Sequence, residues 1–379
     1  MELFNVYPLY DVTLVKGEGC NVYDDNDTEY LDLYGGHGVI SIGHCHPHYV
    51  EAVKKQVETL GFYSNSVRNP IQEALSEKLG QLSGCEEYSL FLCNSGAEAN
   101  ENALKLASFH TGRSKVVAFS NSFHGRTSAA VAATDNERIN APLNRQHEVE
   151  LLPLNDLDAL DKVLAQKDVA AVIIEGIQGV GGLDEGTTEF FKGLEVLCRQ
   201  HGTVLILDEI QSGYGRSGKF FAFQHHGIRP DLITIAKGMG NGFPIGGVMI
   251  GPSFEPSFGL LGTTFGGNHL ACAAALSVLD VLEKEQLIEG VEVLSKFLKE
   301  RLESLPGVQR IKGRGLMLGL EFDFEVAALR KRMIHEKRIF TGGSSNRRLL
   351  RILPPLNVTK DELAHFADAL EALLKVESK

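Results

Sequence analysis

The stretch ITIAKGMGNG, residues 233–242, decides the fold class of this chain. An apolar run with strand-like alternation leads into Lys237, and three glycines follow within five positions. Comparable apolar runs occur between about residues 88 and 250: YSLFLC, SKVVAF, VAAVIIEG, TVLILDEI and GGVMIG. Apolar strands that alternate with helical patterns indicate a mostly parallel sheet with helices on both faces. We therefore predict an α/β domain that binds its ligands outside the carboxyl ends of the strands.

The composition is that of an acidic globular protein. The 379 residues are 43% hydrophobic and 23% charged, and 37 Lys and Arg against 49 Asp and Glu give a formal net charge of -12. This charge disfavours nucleic acid and acidic membranes, which leaves small molecules and other subunits as partners. Because we find neither a signal pattern nor an apolar run of about 18 residues, we expect a cytoplasmic protein. The scattered cysteines, without a CxxC pair, fit reduced thiols.

Changes of pattern along the chain predict three parts. We expect an N-terminal arm over residues 1–55, a large α/β domain over 56–270 and a smaller α+β domain over 271–379. The arm contains GEGCNVYDDNDTEYLDLYGG, which has strand patterns around an Asp/Asn turn. We expect this arm to pack on the C-terminal domain.

The run YSLFLC is followed by NSGAEANENALKLA, in which a turn of small residues opens a helical pattern. The first turn of a helix has free N–H groups and a positive dipole end, which suit a phosphate. We predict that Ser95, Gly96 and Ala97 form such an anion site. An ordinary helix cap of the same composition is the alternative.

The run SKVVAF is followed by SNSFHGRT, which places an aromatic ring, an imidazole and a guanidinium within four residues. Phe123 or His124 could stack on a flat ring, and Arg126 could bind a carboxylate through two hydrogen bonds. A turn that carries a surface arginine would explain the same residues.

Asp208 ends the buried run TVLILD. A buried carboxylate is costly without a cation or an N–H partner, so we expect it to face a positively charged ligand. A metal is one candidate, since the run ends like a Walker B strand and GYGRSGKF supplies GxxxxGK. We reject that match because Phe220 stands where the motif needs a magnesium-binding Ser or Thr. The other candidate is a protonated heterocyclic nitrogen.

Lys237 lies at the end of the next strand pattern after Asp208. An amine beside a phosphate site, a stacking ring and a buried carboxylate is the set of groups that holds pyridoxal 5'-phosphate, with the lysine bound to its aldehyde as a Schiff base. Asp208 would keep the pyridine nitrogen protonated, and Lys237, once freed, would act as a general base. We therefore predict Lys237 and Asp208 as the catalytic residues.

With these sites in order, the sequence resembles the class III, fold type I aminotransferases, and within them the acetylornithine, succinylornithine and ornithine group. The resemblance rests on NSGAEAN, FHGRT, LDEIQSGYGRSGK, AKGMGNGFPIG and TTFGGN and extends over nearly the whole chain. It implies a PLP-dependent transferase fold with a mostly parallel seven-stranded sheet in the large domain and a smaller α+β domain. It also implies a homodimer with shared active sites.

The resemblance assigns residues to the cofactor and the substrate. The cofactor-binding residues that it implies are Ser95, Gly96, Ala97, Phe123, His124, Asp208, Gln211, Lys237 and, from the neighbouring subunit, Thr264. The substrate-binding residues would be Arg126, Arg351 and Thr263.

The expected reaction transfers the terminal amine of an N-acylornithine to 2-oxoglutarate, giving the N-acylglutamate 5-semialdehyde and glutamate, in arginine metabolism. Ornithine, 4-aminobutyrate and other ω-amines stay open as donors, and an aminomutase or decarboxylase on the same fold is the rival enzyme class. A regulator that only binds the cofactor would be expected to carry a DNA-binding extension or to have lost the lysine.

Two segments depart from the group. EGIQGVGG stands where relatives read EPIQGEGG, so Val180 replaces a glutamate that resembles a switch pairing with the arginine at the position of Arg351. Val180 cannot form this pair, and we expect Arg351 to stay available to a substrate carboxylate. In YSNSVRNP, Arg68 could hold the distal carboxylate of a succinyl group, or it could be a surface arginine.

The segment GHCHPH places His44, His46 and His48 at alternate positions. Relatives commonly read GHxHP without a metal, and Pro47 indicates the start of a helix. We therefore expect no metal site.

Overall fold

The computed structural model describes residues 1–377 of the chain. Its strands are β1 (Leu14–Glu18), β2 (Asn21–Asp24), β3 (Glu29–Asp32), β4 (Ser89–Cys93), β5 (Lys115–Phe119), β6 (Val149–Leu152), β7 (Val169–Glu175), β8 (Val204–Asp208), β9 (Leu232–Ile235), β10 (Gly246–Ile250), β11 (Val308–Arg314), β12 (Met317–Phe322), β13 (Ile339–Phe340) and β14 (Leu349–Ile352). Its helices are α1 (Gly35–Gly38), α2 (Pro47–Thr59), α3 (Pro70–Ser83), α4 (Gly96–Thr111), α5 (Ser128–Ala132), α6 (Leu157–Leu164), α7 (Thr188–His201), α8 (His269–Lys284), α9 (Leu287–Leu302), α10 (Ala327–Lys337) and α11 (Lys360–Glu377).

The central sheet has seven strands in the order β4-β10-β9-β8-β7-β5-β6. Strands β5 to β9 pair in parallel, and β10 runs antiparallel to β4 and β9. The predicted α/β fold with a mostly parallel seven-stranded sheet is therefore confirmed. The apolar runs did not identify β6, whose sequence VELL is only partly buried because it lies at the edge of the sheet.

The register of this sheet brings polar strand ends together. Strands β7, β8 and β9 are buried along their whole lengths, as their apolar sequences require. Glu175, the last residue of β7, lies in register with Asp208, the last residue of β8, and Asp208 lies in register with Thr234 of β9. Lys237 follows β9 after one residue, Ala236, at the same edge.

Two smaller sheets flank the central one. In the first, β1, β2 and β3 are followed by β13, which pairs in parallel with β3 and so joins an N-terminal strand to a C-terminal strand. The predicted Asp/Asn turn connects β2 and β3, with Asp27 at a φ of 57°. The second sheet is antiparallel, in the order β11-β12-β14. The domain boundaries at residues 55 and 270 stay a prediction.

Helix α2 begins at Pro47 as predicted, and with α3 it packs against α8. The three histidines of GHCHPH contact different carboxylates: His44 contacts Asp32, His46 contacts Glu285 and His48 contacts Asp280.

Within residues 1–377, no helix combines the length and the apolar character that crossing a membrane would require.

Candidate active site

A cavity of about 380 Å³ lies at the carboxyl ends of the parallel strands. This volume is in the usual range for small-molecule sites. The predicted site residues that line it are Ser95, Gly96, Ala97, Phe123, His124, Arg126, Asp208, Gln211 and Lys237. Residues from the ends of β5, β8 and β9 and from the start of α4 thus meet around one space, as expected for an open α/β sheet.

The side chain of Lys237 lines this cavity and is partly buried. The residue has a φ of 45°, a left-handed backbone conformation that is uncommon for a residue with a side chain. Burial lowers the pKa of its amine, while the nearby carboxylates of Asp208 and Glu175 act in the opposite direction. A lowered pKa makes the neutral amine, which is the nucleophilic form, more accessible near neutral pH.

Asp208 is 4% exposed, and its carboxylate accepts hydrogen bonds from three parts of the chain. Asn100 Nδ2 and His124 Nδ1 each lie 2.8 Å from Asp208 Oδ2, and Ile210 N lies 3.1 Å from Oδ1. His124 is fully buried in this contact, whereas the ring of Phe123 is partly exposed in the cavity. This arrangement leaves Phe123 as the better placed of the two rings for stacking.

Sequence reasoning missed Asn100. It lies on the face of α4 that is buried against the sheet, and its neighbours on that face are Ala99, Ala103 and Leu104. A lone amide within such an apolar stripe needs a buried hydrogen-bond partner. That pattern could have identified Asn100 as a ligand of the strand-end carboxylate.

The start of α4 is compatible with both interpretations of its sequence, the ordinary helix cap and the anion site. Ser95 is the N-cap, and its side chain accepts a hydrogen bond from Glu98 N at 3.2 Å. Gly96 and Ala97 begin the helix and line the cavity, and the N–H groups of a first helical turn have no acceptor within the helix. A Cβ on Gly96 would lie 2.8 Å from the side chain of Ile210, so this position requires glycine.

Arg351 lies behind the cavity wall, 3% exposed. Its Nη1 donates to Gly179 O at 2.7 Å and to Gln211 Oε1 at 3.3 Å, and its Nη2 donates to Tyr34 Oη at 3.1 Å. Burial lowers the pKa of this guanidinium. Within the described part of the chain it forms no ion pair with a carboxylate, and Val180 lines the cavity beside it.

Besides Arg351, three predicted residues do not line the cavity of their own chain. Thr263 contacts its edge indirectly, since its hydroxyl accepts a hydrogen bond from Asn94 Nδ2 at 3.2 Å. Thr264 and Arg68 are both exposed. Phe265, which follows Thr264 in the chain, contacts the ring of Phe62, with centroids 5.5 Å apart. The geometry of a single chain therefore assigns no ligand to Thr264 or Arg68.

Sequence reasoning also missed Glu175, which lines the cavity and is 7% exposed. Burial raises the pKa of its carboxyl group to about 7, with His124 opposing this shift and Asp208 adding to it. Phe123 N and Gly179 N donate to its two oxygens. The same rule that singled out Asp208, a carboxylate at the end of a buried strand, would have found it.

The comparisons with known proteins agree on one family. The family model for class-III aminotransferases matches residues 5–374. The chain is 41% identical over 377 residues to the acetylornithine aminotransferase of Bacillus subtilis (strain 168), covering 97% of this chain and 96% of that protein. It is also 41% identical over 364 residues to the acetylornithine aminotransferase of Archaeoglobus fulgidus, covering 95% of both.

Among solved structures, the ornithine aminotransferase from Toxoplasma gondii ME49 superposes with a TM-score of 0.90 at 31% identity, covering 98% of this chain and 92% of that one. An aminotransferase from Bacillus anthracis gives a TM-score of 0.88 at 27% identity, covering 99% and 96%. The chain belongs to the class-III aminotransferases.

Proposed function

We propose that this aminotransferase uses pyridoxal 5'-phosphate to transfer the terminal amine of an N-acylornithine to 2-oxoglutarate. The observation that carries the proposal is that a partly buried amine, that of Lys237, and a buried carboxylate, that of Asp208, line one cavity with the N-terminus of α4. The choice of donor is supported by the acetylornithine aminotransferases to which the chain is about 40% identical over nearly its full length.

The chemistry of the cavity fits this cofactor. The N–H groups of Gly96 and Ala97 suit its phosphate, and the ring of Phe123 suits its flat face. Asp208 suits a protonated ring nitrogen, because three donors orient its carboxylate and no lysine or arginine within residues 1–375 neutralises it. The amine of Lys237 suits the aldehyde.

When bound, the cofactor supplies an electron-withdrawing ring that stabilises negative charge on the substrate carbon. Asp208 holds the proton on the ring nitrogen on which this withdrawal depends. Lys237 moves a proton to and from the carbon that carries the amine, since its side chain reaches the cavity and its lowered pKa favours the neutral base. Gln211, which lines the cavity, is the group proposed for the phenolic oxygen.

Two arginines are proposed for the substrate carboxylates. Arg126 is exposed and lines the cavity, so it is open to a carboxylate at the cavity edge. Arg351 would bind the α-carboxylate by exchanging its neutral partners, and Thr263 would contact the substrate near Asn94. Two carboxylate sites suit a dicarboxylic amine acceptor better than an aminomutase or a decarboxylase.

Ornithine is the second candidate donor. It is favoured by the structural neighbours, since the Toxoplasma gondii and Plasmodium falciparum chains to which this fold is similar are ornithine aminotransferases. The proposed reactions differ only in the group carried by the α-nitrogen of the donor.

The cytoplasmic location remains a proposal, supported by the cysteines, all of which are free and all of which except Cys45 are buried.

A donor panel tests the proposed function. Purified protein with pyridoxal phosphate and 2-oxoglutarate should form glutamate fastest with N-acetylornithine or N-succinylornithine, and more slowly with ornithine and 4-aminobutyrate. Lys237→Ala should lower kcat by at least about 10³-fold, because the base and the attachment point are both lost. Borohydride treatment followed by peptide mapping should label Lys237. A label on another lysine, or turnover without an oxoacid, would contradict the proposal.

The replacement of a glutamate by Val180 generates a second prediction. Val180→Glu should raise the KM of both substrates, because a carboxylate next to Arg351 competes with theirs. If this competition costs about 1–2 kcal/mol of binding free energy, each KM should rise roughly 5- to 30-fold. Val180→Gln is the matched control, since it has the same length without the charge. If the Val180→Glu variant keeps the wild-type KM for both substrates, then the availability of Arg351 does not depend on Val180, and the idea is refuted.

Arg68 is proposed to hold the distal carboxylate of a succinyl group. Arg68→Ala should then lower kcat/KM for N-succinylornithine by roughly tenfold and leave N-acetylornithine within about twofold, since one charged hydrogen bond is lost. Arg347→Ala, which removes another exposed arginine, is the control. An equal loss on both substrates would count against this role, and unchanged turnover of both would leave Arg68 as a surface arginine.

The homodimer is proposed from exposed aromatic side chains in the two segments that meet where Phe62 contacts Phe265, the residue after Thr264. Phe62, Tyr63, Phe258 and Phe265 are 43%, 56%, 109% and 61% exposed, respectively. Large exposed apolar patches mark protein interfaces. In a dimer, this patch would bring Thr264 to the phosphate in the partner subunit.

Mixed dimers test the sharing of sites. Lys237→Ala and Thr264→Glu should each be inactive alone, the second because its carboxylate repels the phosphate. The two variants are coexpressed with different affinity tags, so that mixed dimers can be purified. Each mixed dimer should recover activity, because one of its two sites takes both Lys237 and Thr264 from unchanged positions. Thr264→Ser is the control and should stay active. Inactive mixed dimers, or a monomer in sedimentation, would overturn the shared site.

A further inference from the structure

We propose that Glu175 is a positioning residue that fixes the stacking ring and the buried substrate arginine relative to each other. This inference rests on the proposed function, which assigns Phe123 to the cofactor and Arg351 to a carboxylate. The contacts of Glu175 link these two groups from opposite sides.

The carboxylate of Glu175 bridges two loops that follow different strands. Oε1 accepts a hydrogen bond from Phe123 N at 2.9 Å, in the loop after β5. Oε2 accepts one from Gly179 N at 2.8 Å, in the loop after β7. Both oxygens are therefore used, one for each loop, at the edge of the sheet where the cavity lies.

The second loop transmits this position to Arg351. Gly179 O accepts a hydrogen bond from Arg351 Nη1 at 2.7 Å. Gly179 is also packed closely against Gln211, because a Cβ at this position would lie 2.0 Å from Gln211 Oε1. A shift of Gly179 would therefore move a partner of the guanidinium and disturb a residue that lines the cavity.

The bridge needs a carboxylate, not just any polar side chain. Both partners are N–H donors, so both atoms at the end of the side chain must accept. Glutamine would offer one acceptor and would place its NH₂ against the other N–H. Aspartate keeps the charge but is too short by one methylene group to reach both loops from the same backbone position.

Glu209 provides a matched control in the same fold. It is 1% exposed, and its carboxylate accepts hydrogen bonds from Ala222 N, Phe223 N and Ser212 Oγ. Burial raises its pKa to about 7, as it does for Glu175. Glu209 does not line the cavity and accepts no hydrogen bond from a proposed ligand group, so it separates a buried carboxylate of the core from one at the site.

The experiment compares holoenzymes of Glu175→Gln, Glu175→Asp and Glu209→Gln with the wild type at pH 8. We expect both Glu175 variants to lose cofactor on dialysis about tenfold faster and to have KM values for both substrates raised about tenfold. The circular dichroism of the bound cofactor should also change, because it reports the orientation of the ring. Glu209→Gln should lower Tm while its KM values and its cofactor signal stay within about twofold.

A fall in Tm alone for the Glu175 variants, as for Glu209→Gln, would overturn the positioning role. The same holds for a fall in kcat with unchanged KM and an unchanged cofactor signal. If Glu175→Gln does not fold, Glu175→Asp decides by the same readouts. A wild type that binds no pyridoxal phosphate would instead contradict the proposed function, and this is visible before any variant is compared.

Discussion

The site depends on the buried carboxylate of Asp208. Its hydrogen-bond donors are Asn100 of helix α4, His124 of the loop after β5, and the backbone N–H of Ile210, two residues further along the chain. One side chain therefore connects three parts of the cavity wall. The Asn100 amide and the Ile210 N–H orient this carboxylate without cancelling its charge, and no lysine or arginine within residues 1–375 forms an ion pair with it. A cationic ring nitrogen in the cavity would complete this arrangement.

Charges of both signs are crowded at this end of the sheet, and burial acts on them in opposite directions. It raises the pKa of Glu175 and of Glu209 to about 7, and it lowers the pKa of Lys237 and of Arg351. Each carboxylate is held by backbone N–H groups, which supply partial positive charge at fixed positions. The loops that follow the strands are therefore held by hydrogen bonds from their backbone N–H groups to these two carboxylates. Neither carboxylate hydrogen-bonds the amine of Lys237, which has no hydrogen bond among the described side chains.

Local patterns were sufficient to predict much of this structure. The apolar runs gave the buried strands, and the small-residue turn gave the start of α4, because both depend on neighbours in sequence. The edge strand β6 was missed since a half-exposed strand lacks the apolar run. The hydrogen bond from Arg351 to Gly179, which completes the link to Glu175, joins residues 172 positions apart, and only the folded structure brings them together. Thr264 and Arg68 cannot be placed from one chain, since their proposed partners lie outside it.

The hydrogen bonds of Arg351 indicate how it could admit a substrate. A guanidinium has five N–H donors, and here its three nitrogens donate to Gly343 O, Gly179 O, Gln211 Oε1 and Tyr34 Oη. A carboxylate that binds through two parallel hydrogen bonds must therefore displace at least one of these partners. The contact with Gln211 is the longest, at 3.3 Å, and all four partners are neutral. A glutamate at position 180 would add the attraction of opposite charges to its hydrogen bonds with the guanidinium, so exchange of the present neutral partners requires less free energy than exchange of that glutamate would.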